Sequence, residues 1–146
     1  MANAPTPSQT VGPFFGFALP FEGDADASGG GGERIEGRVL DGAGAPVPDA
    51  LLEVSQGEQF ARCRTDPEGA FHFVLSRPEE GFVEVAIFAR GLLRHLNTRI
   101  YFPEAAGSVP AEVDPARRNT LVARRDGAVL HHDIHLQGEQ ETVFFA

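Results

Sequence analysis

The chain of 146 residues is short of positive charge, of sulfur and of long apolar runs. It has 12 basic side chains against 21 acidic ones, a formal net charge of −9, and a surface of that sign does not track a phosphate backbone. This argues against nucleic acid as a partner. One cysteine, Cys63, allows no intramolecular disulfide and suits a reducing compartment. No apolar stretch approaches the ~20 residues that span a bilayer as a helix. The opening Met1-Ala2-Asn3-Ala4-Pro5 lacks the charged and apolar regions of a secretory signal, so the expectation is a soluble, cytoplasmic protein with no membrane association. There is no G-x-S-x-G elbow, no phosphate loop and no H-E-x-x-H, and the Gly29-Gly30-Gly31-Gly32 run lacks the strand-to-helix setting of a dinucleotide site.

What is present reads as one domain, since a chain of this length buries roughly two-thirds of the surface its unfolded form exposes. Residues 1–21 pair the stiff Pro5, Pro7, Pro13 and Pro20 with Phe14, Phe15, Phe17 and Phe21, which predicts an ordered apolar arm lying on a surface. Residues 22–33, with Asp24, Asp26, Ser28 and the glycine run, read as a flexible linker because they bury too little apolar area to order themselves. Residues 34–146 read as an all-β sandwich: short strands separated by turn signals at nearly even spacing. Ile35 to Val39, Ala50 to Val54, Phe71 to Phe73 and Arg99 to Phe102 are strand candidates, and Asp66-Pro67-Glu68-Gly69 is a turn. Phe82 to Phe88 lacks clean alternation and is expected to be buried on both faces. A short helix is expected near Pro115, then a hairpin about Asp126-Gly127 whose second strand runs from Ala128 to Leu136.

Two groups invite a chemical reading. In a single strand His131, Asp133 and His135 share a face, and two imidazoles with a carboxylate suit ferrous iron or zinc. Positions i and i+4 on a strand lie ~13 Å apart, so without a bulge they cannot share an ion, and the favoured reading is a solvated polar face with no metal. Cys63, between Arg62 and Arg64, would be a reactive thiol if exposed beside two cations; a lone cysteine in a strand more often packs.

Longer motifs carry a resemblance. Thr6-Pro7-Ser8-Gln9-Thr10-Val11-Gly12-Pro13-Phe14-Phe15 resembles the amino-terminal signature of protocatechuate 3,4-dioxygenase α subunits, within the intradiol ring-cleaving family. Arg34 to Asp41, Phe88-Ala89-Arg90-Gly91-Leu92-Leu93, Asn97 to Phe102, Asp133 to Gly138 and Glu141 to Phe145 follow in family order. Two loops are shorter than the family's: Ser55-Gln56-Gly57 passes at once to Phe60, and Arg77-Pro78-Glu79-Glu80-Gly81 replaces a longer proline-containing segment.

The resemblance implies an intradiol-dioxygenase-like β-sandwich that associates with a catalytic β subunit. In the family that partner holds Fe(III) between two tyrosines and two histidines and cleaves protocatechuate to 3-carboxy-cis,cis-muconate. This chain has one tyrosine, Tyr101, and no His-x-His pair, so by the same comparison it holds no ferric ion and is inactive alone. The resemblance further implies that Thr10, Gly12, Pro13 and Arg90 line the substrate cavity at the subunit boundary, facing a protocatechuate-like catechol. An ordinary arm contact for the first three, and a structural ion pair for Arg90, are the alternatives. Other functions in view are a stand-alone transthyretin-like or carboxypeptidase-regulatory-like binding module, and a degenerate homo-oligomeric scaffold.

Overall fold

Alternating apolar and polar residues after the glycine run build nine strands among residues 3–146, the part of the chain that the computed structural model describes. These are β1 (Glu33–Leu40), β2 (Leu51–Gln56), β3 (Gln59–Arg64), β4 (Ala70–Leu75), β5 (Phe82–Phe88), β6 (Leu96–Tyr101), β7 (Arg124–Asp126), β8 (Val129–His131) and β9 (Ile134–His135). One sheet runs β4-β1-β8-β7 with β9 also on β1, and the other runs β3-β2-β5-β6. Their inner faces meet through Ile35, Val39, Phe73, Leu130 and Ile134 on one side and Leu52, Val54, Ala61, Val85 and Ile87 on the other. The expected all-β sandwich is the observed fold. The shortened loops are tight connections: Gln56 pairs with Gln59 across two residues, and Gly81 N–H donates to Pro78 at 3.0 Å.

Several local expectations change. β5 alternates after all: Val83, Val85 and Ile87 are in the core, while Phe82, Glu84, Ala86 and Phe88 are half-buried on the outer face. Residues 22–33 do not run free as a linker. Ala27 N–H donates to Val74 and Val74 N–H to Ala25, each at 2.9 Å, while Arg62 N–H donates to Asp24 at 2.8 Å. The segment thus joins the edge strands β4 and β3, one from each sheet, and covers part of that open side. Composition missed this because edge strands offer backbone partners whatever the side chains are. The expected helix near Pro115 is a 3₁₀ segment, Pro115–Leu121, whose first turn is capped by the Asp114 carboxylate accepting from Ala116 N–H at 2.9 Å.

The hairpin about Asp126-Gly127 forms, but its second strand breaks at His132-Asp133. Both pieces, β8 and β9, run parallel to β1. At the break Asp133 Oδ1 takes the Arg38 N–H at 2.9 Å, and His132 N–H donates to Glu36 at 2.9 Å. A Cβ at Gly37 would lie 1.8 Å from the His132 carbonyl oxygen, so only glycine fits there.

The kink drives the His132 ring inward, where Nε2 finds no partner. Burial pushes its pKa down to about 4, against a weaker upward pull from a hydrogen bond with the Val122 backbone. The unfolded imidazole takes a proton near 6.5, so between that pH and about 4 the unfolded state binds more protons and stability falls as the pH is lowered. The contribution lost across the window is roughly 3 kcal/mol. The carboxylates of Asp26, Glu36 and Glu104 are all held below their ordinary range, chiefly by hydrogen bonds, and release their contributions at lower pH. Urea unfolding near neutral pH and at about pH 4.5 should therefore show a steep loss that His132→Leu flattens; an unchanged slope in the variant would refute the assignment.

Candidate functional site

The amino-terminal arm lies across β3, and strand alternation explains how. Ala61 and Cys63 point into the core, so Phe60, Arg62 and Arg64 point outward. Arg62 binds the Glu53 carboxylate at 2.7 Å and donates to the Leu19 carbonyl at 2.8 Å. Arg64 places its guanidinium 4.6 Å from the centre of the Phe17 ring. Gly16, in the short helix α1 (Phe15–Ala18), is packed so closely on Arg64 that a Cβ would stand 2.9 Å from Nε. Phe14, Phe17 and Phe21 remain 76%, 69% and 59% exposed, an apolar ridge on the outer side of the arm.

Farther toward the amino terminus the arm reaches the loop after β5. The Thr10 hydroxyl accepts from Gly91 N–H at 2.7 Å, which sets the arm beside Arg90. Gly12 and Pro13 follow, both exposed, with open space where a Gly12 Cβ would stand. Phe15 N–H donates back to the Gly12 carbonyl at 3.3 Å, opening the turn into α1. Arg90 is 57% exposed and pairs with Asp49 at 3.5 Å; the other Asp49 oxygen takes Arg64. The structure thus brings Thr10 and Arg90 to one edge of the sandwich with Gly12 and Pro13 on the same stretch of arm. Beside them a cavity of about 600 Å³ is lined by Gln9, Val11, Phe88, Leu92, His95 and Phe145. Asp49 and Arg64 escaped the sequence reading, since nothing local marks an aspartate in a proline-rich turn as a partner of residues 15 and 41 positions away.

The other candidates separate. Cys63 is 8% exposed and burial raises its thiol pKa, so it is a packed residue; the flanking arginines lie on the opposite face of the strand. His131 faces Glu36 at 3.7 Å and Asp126 at 3.8 Å, whereas Asp133 is spent on the Arg38 amide. The three residues His131, Asp133 and His135 therefore do not converge, and among the described residues no cluster of three histidine, cysteine or carboxylate groups is placed to hold an ion. Tyr101 is 1% exposed, with its ring 5.0 Å from Phe82 and its hydroxyl accepting from Arg99 at 3.1 Å. Arg99 also binds Glu84 at 3.1 Å and lies between the rings of Phe82 and Phe145. A ferric site with two tyrosinates does not fit these residues, because the single tyrosine has its oxygen turned to a guanidinium.

The chain is 32% identical to the protocatechuate 3,4-dioxygenase alpha chain of Burkholderia cepacia, covering 96% of both, and 31% identical to that of Pseudomonas putida, covering 96% and 95%. It belongs to the family of protocatechuate 3,4-dioxygenase alpha chains. The reading as a transthyretin-like or carboxypeptidase-regulatory-like module is thereby overturned. No family model matches. Among solved structures the sandwich resembles the dioxygenase domain of a carbohydrate-binding fusion from Streptomyces sp. SirexAA-E, with a TM-score of 0.58, 21% identity and 91% and 99% coverage. It also resembles an intradiol ring-cleavage dioxygenase from Tetranychus urticae, with a TM-score of 0.57, 14% identity and 96% and 99% coverage. The chain thus has the β-sandwich fold of these solved dioxygenases.

The buried, guanidinium-bound Tyr101 generates a test. The full chain loaded with ferric iron should show no visible tyrosinate-to-metal charge-transfer band; a coloured species with stoichiometric iron would overturn the reading of the tyrosine.

Proposed function

We propose that this chain is the non-catalytic α subunit of a cytoplasmic protocatechuate 3,4-dioxygenase, completing the cavity of an iron-bearing β subunit. The reaction joins protocatechuate and O₂ into 3-carboxy-cis,cis-muconate, with both oxygen atoms retained in the new carboxylates. The observation that carries the reading is the Thr10–Gly91 hydrogen bond at 2.7 Å, which sets the arm beside Arg90 on one edge, with both residues exposed. Phe14, Phe17 and Phe21 add apolar area of the kind a subunit contact covers.

The residues of this chain have separate tasks. Arg90 offers a planar guanidinium to the ring carboxylate of the substrate, which a point charge would orient less well. The Thr10 oxygen already accepts from Gly91, so its own proton is free to be donated to a ligand oxygen. Gly12 has no side chain to hold a ligand away, and Pro13 stiffens the arm that follows. The iron and the chemistry at the ring belong to the partner. Co-purification with a β-type chain separates this reading from a homo-oligomeric scaffold.

Deleting residues 1–21 should weaken association with the β-type partner in sedimentation more than it lowers the melting temperature. Unchanged association with a collapsed melting temperature would make the arm part of this chain's own core. In the α/β complex, Arg90→Ala should raise KM for protocatechuate far more than for catechol, which lacks the carboxylate. A charge-assisted hydrogen bond of this kind is worth ~1.5–3 kcal/mol, or roughly 10- to 150-fold. Arg90→Lys should recover part of the loss. Equal effects on the two substrates, with assembly intact, would leave Arg90 as an ion-pair residue only.

A further inference from the structure

We propose that Asp49 is a positioning residue, whose carboxylate holds the arm and Arg90 in a fixed relation to each other. The inference rests on the reading of Arg90 as a substrate-facing group and extends it to a residue that touches no ligand.

Asp49 lies in the turn before β2 with φ of 64°, the one positive value at a non-glycine position among the described residues. The left-handed region costs an L-residue roughly 1 kcal/mol or more, and aspartate is among the few side chains that enter it. Glycine would do so freely, so the carboxylate requires a separate reason. Its two oxygens go to two arginines from different elements: Oδ1 to Arg64 on β3, and Oδ2 to Arg90 in the loop after β5 at 3.5 Å. Each arginine is in turn tied to the arm. Arg64 carries Gly16 against its Nε and Phe17 over its guanidinium. Arg90 precedes Gly91, whose N–H is held by Thr10.

The contacts therefore close a ring: arm at Thr10, loop at Gly91 and Arg90, carboxylate of Asp49, Arg64, and the arm again at Gly16 and Phe17. Thr10 to Phe17 is the stretch that contains Gly12 and Pro13. With the carboxylate gone, two guanidinium groups are left without the negative charge between them, and like-charge repulsion turns the less anchored one outward. That one is Arg90, which has its pair with Asp49 and is 57% exposed, whereas Arg64 is packed under the arm. The arm then loses its hold at one end.

The test uses Asp49→Gly, which keeps the backbone conformation and removes the carboxylate, and Asp49→Asn, which keeps shape and one acceptor and removes the charge. In the α/β complex both should raise KM for protocatechuate over that for catechol by up to roughly tenfold with kcat little changed, Asp49→Asn less than Asp49→Gly. Amide exchange across residues 13–19, read by mass spectrometry on the same complexes, should speed up in Asp49→Gly. If Asp49→Gly keeps wild-type arm exchange and the wild-type KM ratio, Asp49 is a turn residue and the proposal is overturned. Arg90→Ala, measured alongside, separates the two ideas. Should it leave the KM ratio unchanged while Asp49→Gly loosens the arm, the substrate role of Arg90 falls and the positioning of the arm by Asp49 stands. Should it shift the ratio while Asp49→Gly shifts neither readout, Asp49 alone is refuted.

Discussion

Two outward-facing arginines on β3 hold the amino-terminal arm to the sandwich along Gly16 to Leu19, just beyond Gly12 and Pro13. Arg62 takes the Leu19 carbonyl and Glu53; Arg64 takes Phe17 and Asp49. An arm of this composition gains little from hydrophobic burial on its own chain, because three of its four phenylalanines stay well exposed. Directional polar and cation–π contacts do what burial does not: they fix where the arm lies while leaving its apolar side free. A purely hydrophobic attachment would have buried those rings.

The second constraint lies on the opposite sheet and is steric. Gly37 lets the chain pass against β1 at the His132 carbonyl, splitting what would have been one strand into β8 and β9. The kink buries His132 and brings the tail into line with β6. Thr142 Oγ1 takes the His135 N–H at 2.9 Å, Thr98 donates to the Val143 carbonyl at 2.8 Å, and Phe145 N–H reaches Asn97 at 2.7 Å. Phe145 thereby comes to line the cavity beside the arm, so the two ends of the chain meet at the same edge. That meeting is long-range in sequence, and it rests on the hydrogen bonds of the tail together with the Thr10–Gly91 contact of the arm.

How much of this was readable from the residues varies by kind of interaction. Strands such as β1 and β4 were legible because alternation and the Asp66–Gly69 turn are local signals. The β5 strand was misread, since Phe82, Ala86 and Phe88 are apolar yet only half-buried on an outer face. The linker was misread because its order comes from backbone hydrogen bonds to two edge strands, which composition does not encode. Motif resemblance pointed to Thr10, Gly12, Pro13 and Arg90, and the Thr10–Gly91 contact brings the arm next to the loop that carries Arg90. Asp49 and Arg64 were illegible: their pairing exists only after β2, β3 and the arm have been assembled. The arginines beside Cys63 were noticed for the wrong reason, as influences on a thiol that alternation turns away from them.

The surroundings of Tyr101 are those of a structural tyrosine. A tyrosinate ligand needs an ionised oxygen within reach of a metal and other ligands converging on it. Here the oxygen accepts a guanidinium proton, and that guanidinium is fixed by Glu84 and by two aromatic rings, one of them from the carboxy-terminal tail. The ion pair lies on the outer face of β5 and β6. Binding a cation there would set it against Arg99, a repulsion that the half-buried setting screens less than water would. Arg99 thereby ties β5 and β6 to the carboxy-terminal tail. Thr10, Gly12, Pro13 and Arg90 lie instead at the rim by the loop after β5, where all four are exposed.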